Sequence, residues 1–229
     1  MKIHNTHRWN LSYAEATALQ TRLAAKIKLK RISLKRIRYV AGTDMAISKQ
    51  INKLVGAAVV FSFPELEIIE TQIAAREISF PYIPGLLSFR EIPVLIDCLA
   101  KIKTPVDAII CDGQGIAHPR GIGLASHLGL LLQIPTIGCA KSLLVGGHDD
   151  VGSDKGDFKP LVYNNKCVGS VVRTRDRVKP VYVSPGYLAD QAGSRGVVLA
   201  CTTRYRLPEP TRYADRIAGD EKRRLESVR

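Results

Sequence analysis

The order of segments along the chain predicts a mixed α/β fold, a central sheet with helices on its faces. Three strand-like stretches, 38–48, 54–63 and 66–78, are parted only by turn-compatible residues at 49–53 and at Pro64-Glu65, the signature of an antiparallel meander. From residue 88 onward, helical and strand-like stretches alternate, as they do when helices cover a sheet. With 45% hydrophobic residues among 229, the chain can bury a substantial core, and its length suits one large domain or two small ones.

Each element has its own local reason. Residues 11–30 read as an amphipathic helix: Ser12 followed by Glu15 matches a capping box, and Ala16, Leu19, Leu23 and Ile27 recur at helical spacing. Its end runs into Lys26, Lys28, Lys30, Arg31, Lys35, Arg36 and Arg38, either a solvated basic face or one turned to phosphates. After the meander, 88–101 is predicted helical, 106–111 is a short apolar strand suited to burial on both faces, 121–133 is helical and 136–139 a strand. The polar, Gly-rich stretch 146–157 is expected to be a solvated loop, its Asp149, Asp150, Asp154 and Asp157 included. Strands at 161–173 and 180–184 precede a helix near 188–201, and the charged tail 221–229 is expected to fray. No internal repeat or low-complexity linker interrupts the chain, so a single domain over 1–229 is expected.

The 34 Lys and Arg against 21 Asp and Glu leave a formal charge of +13. Such an excess favours polyanionic partners, because neutralised phosphates release condensed counterions. The five cysteines are scattered without a CxxC pair and read as reduced core residues. No early apolar targeting segment and no apolar run of membrane-spanning length is evident, so a cytoplasmic location is expected.

Three carboxylates stand out. Asp44 lies within the apolar stretch Val40-Ala41-Gly42-Thr43-Asp44-Met45-Ala46, where an unpaired buried charge is costly. It needs a cation, a cluster of donors or a wet face, and Arg38, Val40, Gly42, Asp44, Ala46 and Ser48 share a face that solvent could cover. Asp112 ends the run 106–111, where open α/β sheets place their ligands, although Asp112-Gly113 also suits a plain turn. Glu91 closes a Ser88-to-Glu91 capping pattern, which competes with a ligand role. Together the three could meet on one oxygen-only site, suited to Mg²⁺ or Mn²⁺ rather than zinc.

Several longer segments carry a resemblance: AGTDMAIS around Asp44, PYIPGLLSFRE from Pro81 to Glu91, DGQGIAHPRGIGLASHLGL from Asp112, PTIGCAKSLLVG around Lys141, and YRLPEPTRYAD ending at Asp215. In this order the sequence resembles the endonuclease V family from Tyr39 to about Ala218. The resemblance implies an RNase H-like fold with a mixed five-stranded central sheet that begins with the antiparallel meander. It implies Asp44, Glu91 and Asp112 as metal-binding carboxylates, Asp215 as a fourth near the metal, and Lys141 as a catalytic lysine, with Mg²⁺ as cofactor and Mn²⁺ able to substitute.

Pro81, Tyr82, Ile83 and Pro84 match the wedge that parts the strands at a lesion, with Gly85 beside it. His118 lies in the pocket-lining stretch with Gly113, Gly115 and Gly121. Those glycines would let backbone amides approach a phosphate or a base, and the prolines would stiffen the loop that presents Tyr82. The implied activity is cleavage at the second phosphodiester 3′ to a deaminated purine such as inosine, leaving 3′-hydroxyl and 5′-phosphate ends, in DNA repair. The expected partner of this monomer is DNA with deaminated bases, with inosine-containing RNA as the nearest rival. A non-catalytic lesion-binding protein is less consistent with an acidic cluster and Lys141 facing a phosphate. One departure is visible: Tyr187 stands where many relatives carry His, at what reads as a helix start.

Overall fold

The computed structural model describes residues 1–4 and 7–228. Eight strands form one sheet in the order β3-β2-β1-β4-β5-β8-β7-β6. The meander is β1 (Tyr39–Ser48), β2 (Lys53–Ser62) and β3 (Ile68–Glu77), paired antiparallel as the alternation predicts. β4 (Ala108–Cys111) runs parallel to both β1 and β5 (Thr136–Ala140). The expected five-stranded sheet is therefore too small. β8 (Val181–Tyr187) pairs antiparallel with β5, and β7 (Lys166–Val172) and β6 (Phe158–Tyr163) follow. The physical reason is that β5 would otherwise present a row of unpaired amides and carbonyls. Residues 161–173, expected to be one strand, fold back at Asn164-Asn165, both with positive φ (50° and 59°), a hairpin turn that asparagine tolerates.

The helices cover both faces. α2 (Leu87–Leu99) and α3 (Leu124–Leu132) bury Leu95, Leu99, Leu128 and Leu131 against Leu54, Ala58 and Val60 on one face. On the other face, α4 (Gln191–Ala200) packs against β7 and β8. α5 (Glu209–Ser227) lies there too and buries Ala214 and Ala218 against Ala57, Val59 and Phe61. The basic N-terminal helix α1 (Tyr13–Ala24) is shorter than the expected 11–30: its capping box forms as read, and Lys26 to Lys30 follow it exposed and non-helical. The tail 221–229 is not frayed as far as it is described. α5 continues to Ser227, where Glu221–Arg224 and Lys222–Glu226 pairs support its last turns; Arg229 lies outside the described residues.

The cysteines match their reading as reduced core residues. Cys98, Cys111, Cys139 and Cys201 are buried free thiols, and Cys167 is free and exposed. Among the described residues, no helix is long and apolar enough to cross a membrane.

Candidate active site

The face of β1 that carries Asp44 is not solvated, because α5 covers it. Gly42 makes that possible: a Cβ there would stand 2.1 Å from the carbonyl carbon of Pro210, so only glycine lets the first turn of α5 settle onto β1. Ala46 packs under the same helix and Ser48 bonds Glu226 near its end. Asp44 is left partly buried at the edge of this contact.

Strand pairing then sets the second carboxylate beside the first. Thr43 pairs with Cys111, and the Asp112 amide donates to the Thr43 carbonyl at 3.3 Å. Glu91 comes from α2 on the opposite face. Its capping reading fails, because the helix starts two residues earlier: Leu86 is the N-cap residue and Ser88 already lies inside the helix. Glu91 is 7% exposed and faces the charge of Asp112. Asp215 approaches from α5, where its charge acts on both Asp44 and Lys141.

The electrostatics are those of crowded like charges. Burial, then the neighbouring Asp112, pushes the Glu91 carboxyl up to about 8, against the pull of Arg90. Burial and the charges of Asp112 and Asp215 likewise raise Asp44 to about 8. The Met45 amide, donating at 2.7 Å, and the Lys141 ammonium only partly oppose this. Lys141 follows β5 and is bonded to Asp112. Burial disfavours its charge, but that bond and the surrounding carboxylates outweigh burial and hold its pKa above the ordinary value.

In donor chemistry the set fits a hard divalent cation: carboxylate oxygens from four elements, more negative charge than one ammonium compensates, and no sulfur or imidazole among them. It is not a preassembled cage. Among the described residues, no three His, Cys, Asp or Glu side chains stand close enough to hold a metal as they are placed.

Beside Asp112 opens a cavity of about 390 Å³. Of the residues singled out in the sequence, it brings together Tyr82, Ile83, Pro84, Gly85, Asp112, Gly113, His118 and Lys141. Pro81, Gly115 and Gly121 do not line it. Gly115 is a packing glycine instead: its amide donates to Ser184 at 2.7 Å, and a Cβ would meet the Pro185 carbonyl. Tyr82 is 66% exposed at the mouth, which excludes a tyrosine packed on its own sheet.

His118 holds the loop that carries Tyr82. Its Nε2–H donates to the Gly85 carbonyl at 3.1 Å, and its Nδ1 accepts from the Arg120 amide at 3.2 Å. Burial, then the Arg120 charge, depresses its pKa to about 4, so the ring is neutral. The same carbonyl accepts from Gln20 at 2.9 Å and Arg120 Nη2 at 2.7 Å, and Gly85 has φ +77°. Gln20 and Arg120 carried no local signal in the sequence; their part in the clamp exists only through tertiary contact.

Further residues of the cavity wall were also missed. Leu143 and Leu144 line it with exposed side chains, and Ser88 lines it too. The Ser88 hydroxyl is engaged by a chain of imidazoles. His7 Nδ1–H donates to the Arg8 carbonyl and its Nε2 accepts from His127 Nε2–H, so His127 Nδ1 accepts from Ser88 at 3.1 Å. Tyr187 belongs to the end of β8 rather than a helix start. It is buried, and its hydroxyl donates to Gln133 at 2.9 Å, away from the carboxylates.

The arrangement has counterparts. A model of the endonuclease V family matches residues 21–216. An endonuclease V of Nostoc sp. is 49% identical over 220 residues, covering 96% of this chain and all of that one.

The chain belongs to the endonuclease V family.

Among solved structures, the endonuclease V of Streptomyces avermitilis superposes with a TM-score of 0.91 at 37% identity, covering 99% of this chain and all of that one. The endonuclease V of Ciona intestinalis, solved with a 24-mer DNA containing an inosine followed by a ribo-adenosine, gives 0.83 at 30% identity, covering 93% of this chain and 98% of that one. The α/β architecture is thus shared with endonuclease V structures over nearly the whole chain.

Proposed function

We propose that this protein is an RNase H-like, metal-dependent endonuclease of DNA repair. It would recognise deaminated purines such as inosine and cut the second phosphodiester on their 3′ side, leaving 3′-hydroxyl and 5′-phosphate ends. The observation that carries the reading is the convergence of Asp44, Glu91, Asp112 and Asp215 with Lys141 beside a cavity of about 390 Å³ edged by an exposed tyrosine.

Asp44, Glu91 and Asp112, with Asp215 beside them, would hold Mg²⁺, for which Mn²⁺ would substitute. Bound there, the cation supplies Lewis-acid polarisation of a phosphate and stabilises a leaving oxygen. The chain's own groups do the rest. Lys141, held charged by its carboxylate neighbours, places a positive charge at the edge of the cavity where a scissile phosphate would lie. The cavity receives a base that has left the stack, since its pairing edge cannot be read inside a duplex. Tyr82, on a proline-stiffened loop clamped through Gly85, fills the vacated step and stacks on the neighbouring base.

A second reading, cleavage of inosine-containing RNA, draws support from the ribo-adenosine that follows the inosine in the DNA bound to the Ciona intestinalis relative. One assay tests both. Matched inosine-containing DNA and RNA are incubated with Mg²⁺ or with chelator. Cleavage of inosine DNA that requires Mg²⁺ is expected. Cleavage confined to RNA would replace the first reading by the second, and cleavage of neither would overturn both.

A further inference from the structure

Where the chain enters α5, arginine and tyrosine side chains alternate in a series of cation–π contacts. The Arg204 guanidinium lies 4.9 Å from the Tyr205 ring centre, and Arg212 lies 4.2 Å from that same ring centre and 4.6 Å from the centre of the Tyr213 ring. Arg216 closes it, 4.4 Å from Tyr213. The series is tied to the site at both ends. Arg206, next to Tyr205, donates to the Lys141 carbonyl at 2.7 Å, and Asp215 lies between Tyr213 and Arg216 on α5.

Its chemistry points outward. Arg212 is engaged by Glu209, but Arg204 and Arg216 have no carboxylate partner among the described residues. A guanidinium stacked on a ring keeps its in-plane N–H groups free for phosphate oxygens. Tyr205 is 38% exposed, which a purely internal staple would not require. Tyr213, half-buried and edge-on to Phe61 at 5.5 Å, anchors the series to the sheet, which leaves Tyr205 as its exposed ring. An exposed ring flanked by cations is a component of a platform that takes single-stranded nucleic acid by base stacking and backbone contact.

Position supplies the polarity. The cavity lies on the α2 and α3 face of the sheet, α5 lies on the other, and Asp112 follows the end of the central strand β4 between them. A strand with one base in the cavity and its phosphate at Asp112 must therefore leave over α5. We propose that Arg204, Tyr205, Arg212, Tyr213 and Arg216 form a binding surface for the nucleotides that follow the scissile phosphate on the 3′ side. The proposal rests on the reading that the cavity takes a deaminated base with cleavage 3′ to it.

The test uses the full-length protein in chelator, so that nothing is cut, and single-stranded oligonucleotides with one inosine. One arm is kept short while the other is extended by about ten nucleotides, within the range one stacking platform occupies. Binding is read by fluorescence anisotropy. Wild type should gain affinity from the 3′ extension. Tyr205→Leu, which keeps the bulk without the ring, should lose roughly tenfold of that gain. Arg216→Gln should also lower the slope of log K against log salt by about 0.7, one phosphate contact on a single strand. A gain from 3′ extension unchanged in both variants overturns the proposal, as does a loss that follows the 5′ arm. If wild type does not discriminate inosine from its undamaged counterpart in either series, it is the underlying reading of the cavity that fails, while a 3′ gain lost in the variants still supports the surface.

Discussion

Glu70 and Glu91 are the same side chain in opposite settings. Glu70, on β3, accepts from the amides of Lys103 and Thr104 at 3.1 and 2.9 Å, from the Thr104 hydroxyl at 2.7 Å and from Gln72 at 3.0 Å. Burial alone would raise its pKa, but these donors outweigh it and bring the carboxyl down to about 2. Glu91, on α2, has no hydrogen-bond donor among the described residues and looks onto Asp112, and its pKa stands at about 8. The first carboxylate ties the edge strand to the loop after α2. The second is held, with Asp44, in surroundings that disfavour its charge, the pattern that marks a candidate functional site.

The largest expected effect separates the two directly. Asp112→Asn removes the charge at the centre of the cluster. Cleavage of inosine DNA should fall by more than the roughly 10–100-fold typical of groups that only orient a metal ligand. The metal-free fold should hold or gain stability, because Asp44 and Glu91 lose a repelling neighbour. Wild-type turnover in this variant would remove Asp112 from the site.

Next in size is Gly42→Ala. The new methyl would meet the Pro210 carbonyl carbon, so α5 must shift away from β1 and carry Asp215 with it. Overpacking of this kind costs about 1–3 kcal/mol, so chemical denaturation should show that loss together with reduced cleavage. Unchanged stability would mean that α5 does not depend on this approach.

The smallest effect belongs to Glu70→Gln, a loss of about 1 kcal/mol after allowing for solvent screening, with cleavage per folded molecule unchanged. The pH dependence differs in sign from that of the site. A depressed carboxyl such as Glu70 contributes stability that is present above its unfolded value near 4.5 and lost as pH falls towards 2. The raised Asp44 and Glu91 bind protons that the unfolded chain has released, so stability is lost as pH climbs from about 4 through 8. Unfolding curves for Glu70→Gln and Glu91→Gln across pH 3 to 9 would collapse the comparison if the two followed the same trend.

These contrasts also mark what could be read in advance. The meander was legible because alternation and the turns around residues 49–53 and 64–65 are local. Asp44 and Asp112 were legible as candidates from their place in apolar strand-like runs, and Lys141 through the family motifs, but the cover over Asp44 was not, since α5 starts at Glu209, far along the chain. Ser88 and Glu91 illustrate the limit of local patterns: the capping sequence is present, yet the helix starts at Leu87 and turns Glu91 to the cluster. The Asn164-Asn165 turn was a readable signal passed over, and its omission made two strands into one. Gln20 and Arg120 meet at the Gly85 carbonyl only once α1 and the loop after β4 are packed together.

The central claim, that these carboxylates form a cation site, is tested most directly by thermal unfolding at pH 8 with and without Mg²⁺, in wild type and Asp112→Asn. A ligand that binds the folded state alone stabilises it by about 2.7 kcal/mol at a hundred times its Kd. The account predicts that Mg²⁺ raises the Tm of wild type and leaves Asp112→Asn nearly unmoved. An equal rise in both proteins, or none in wild type, would contradict it.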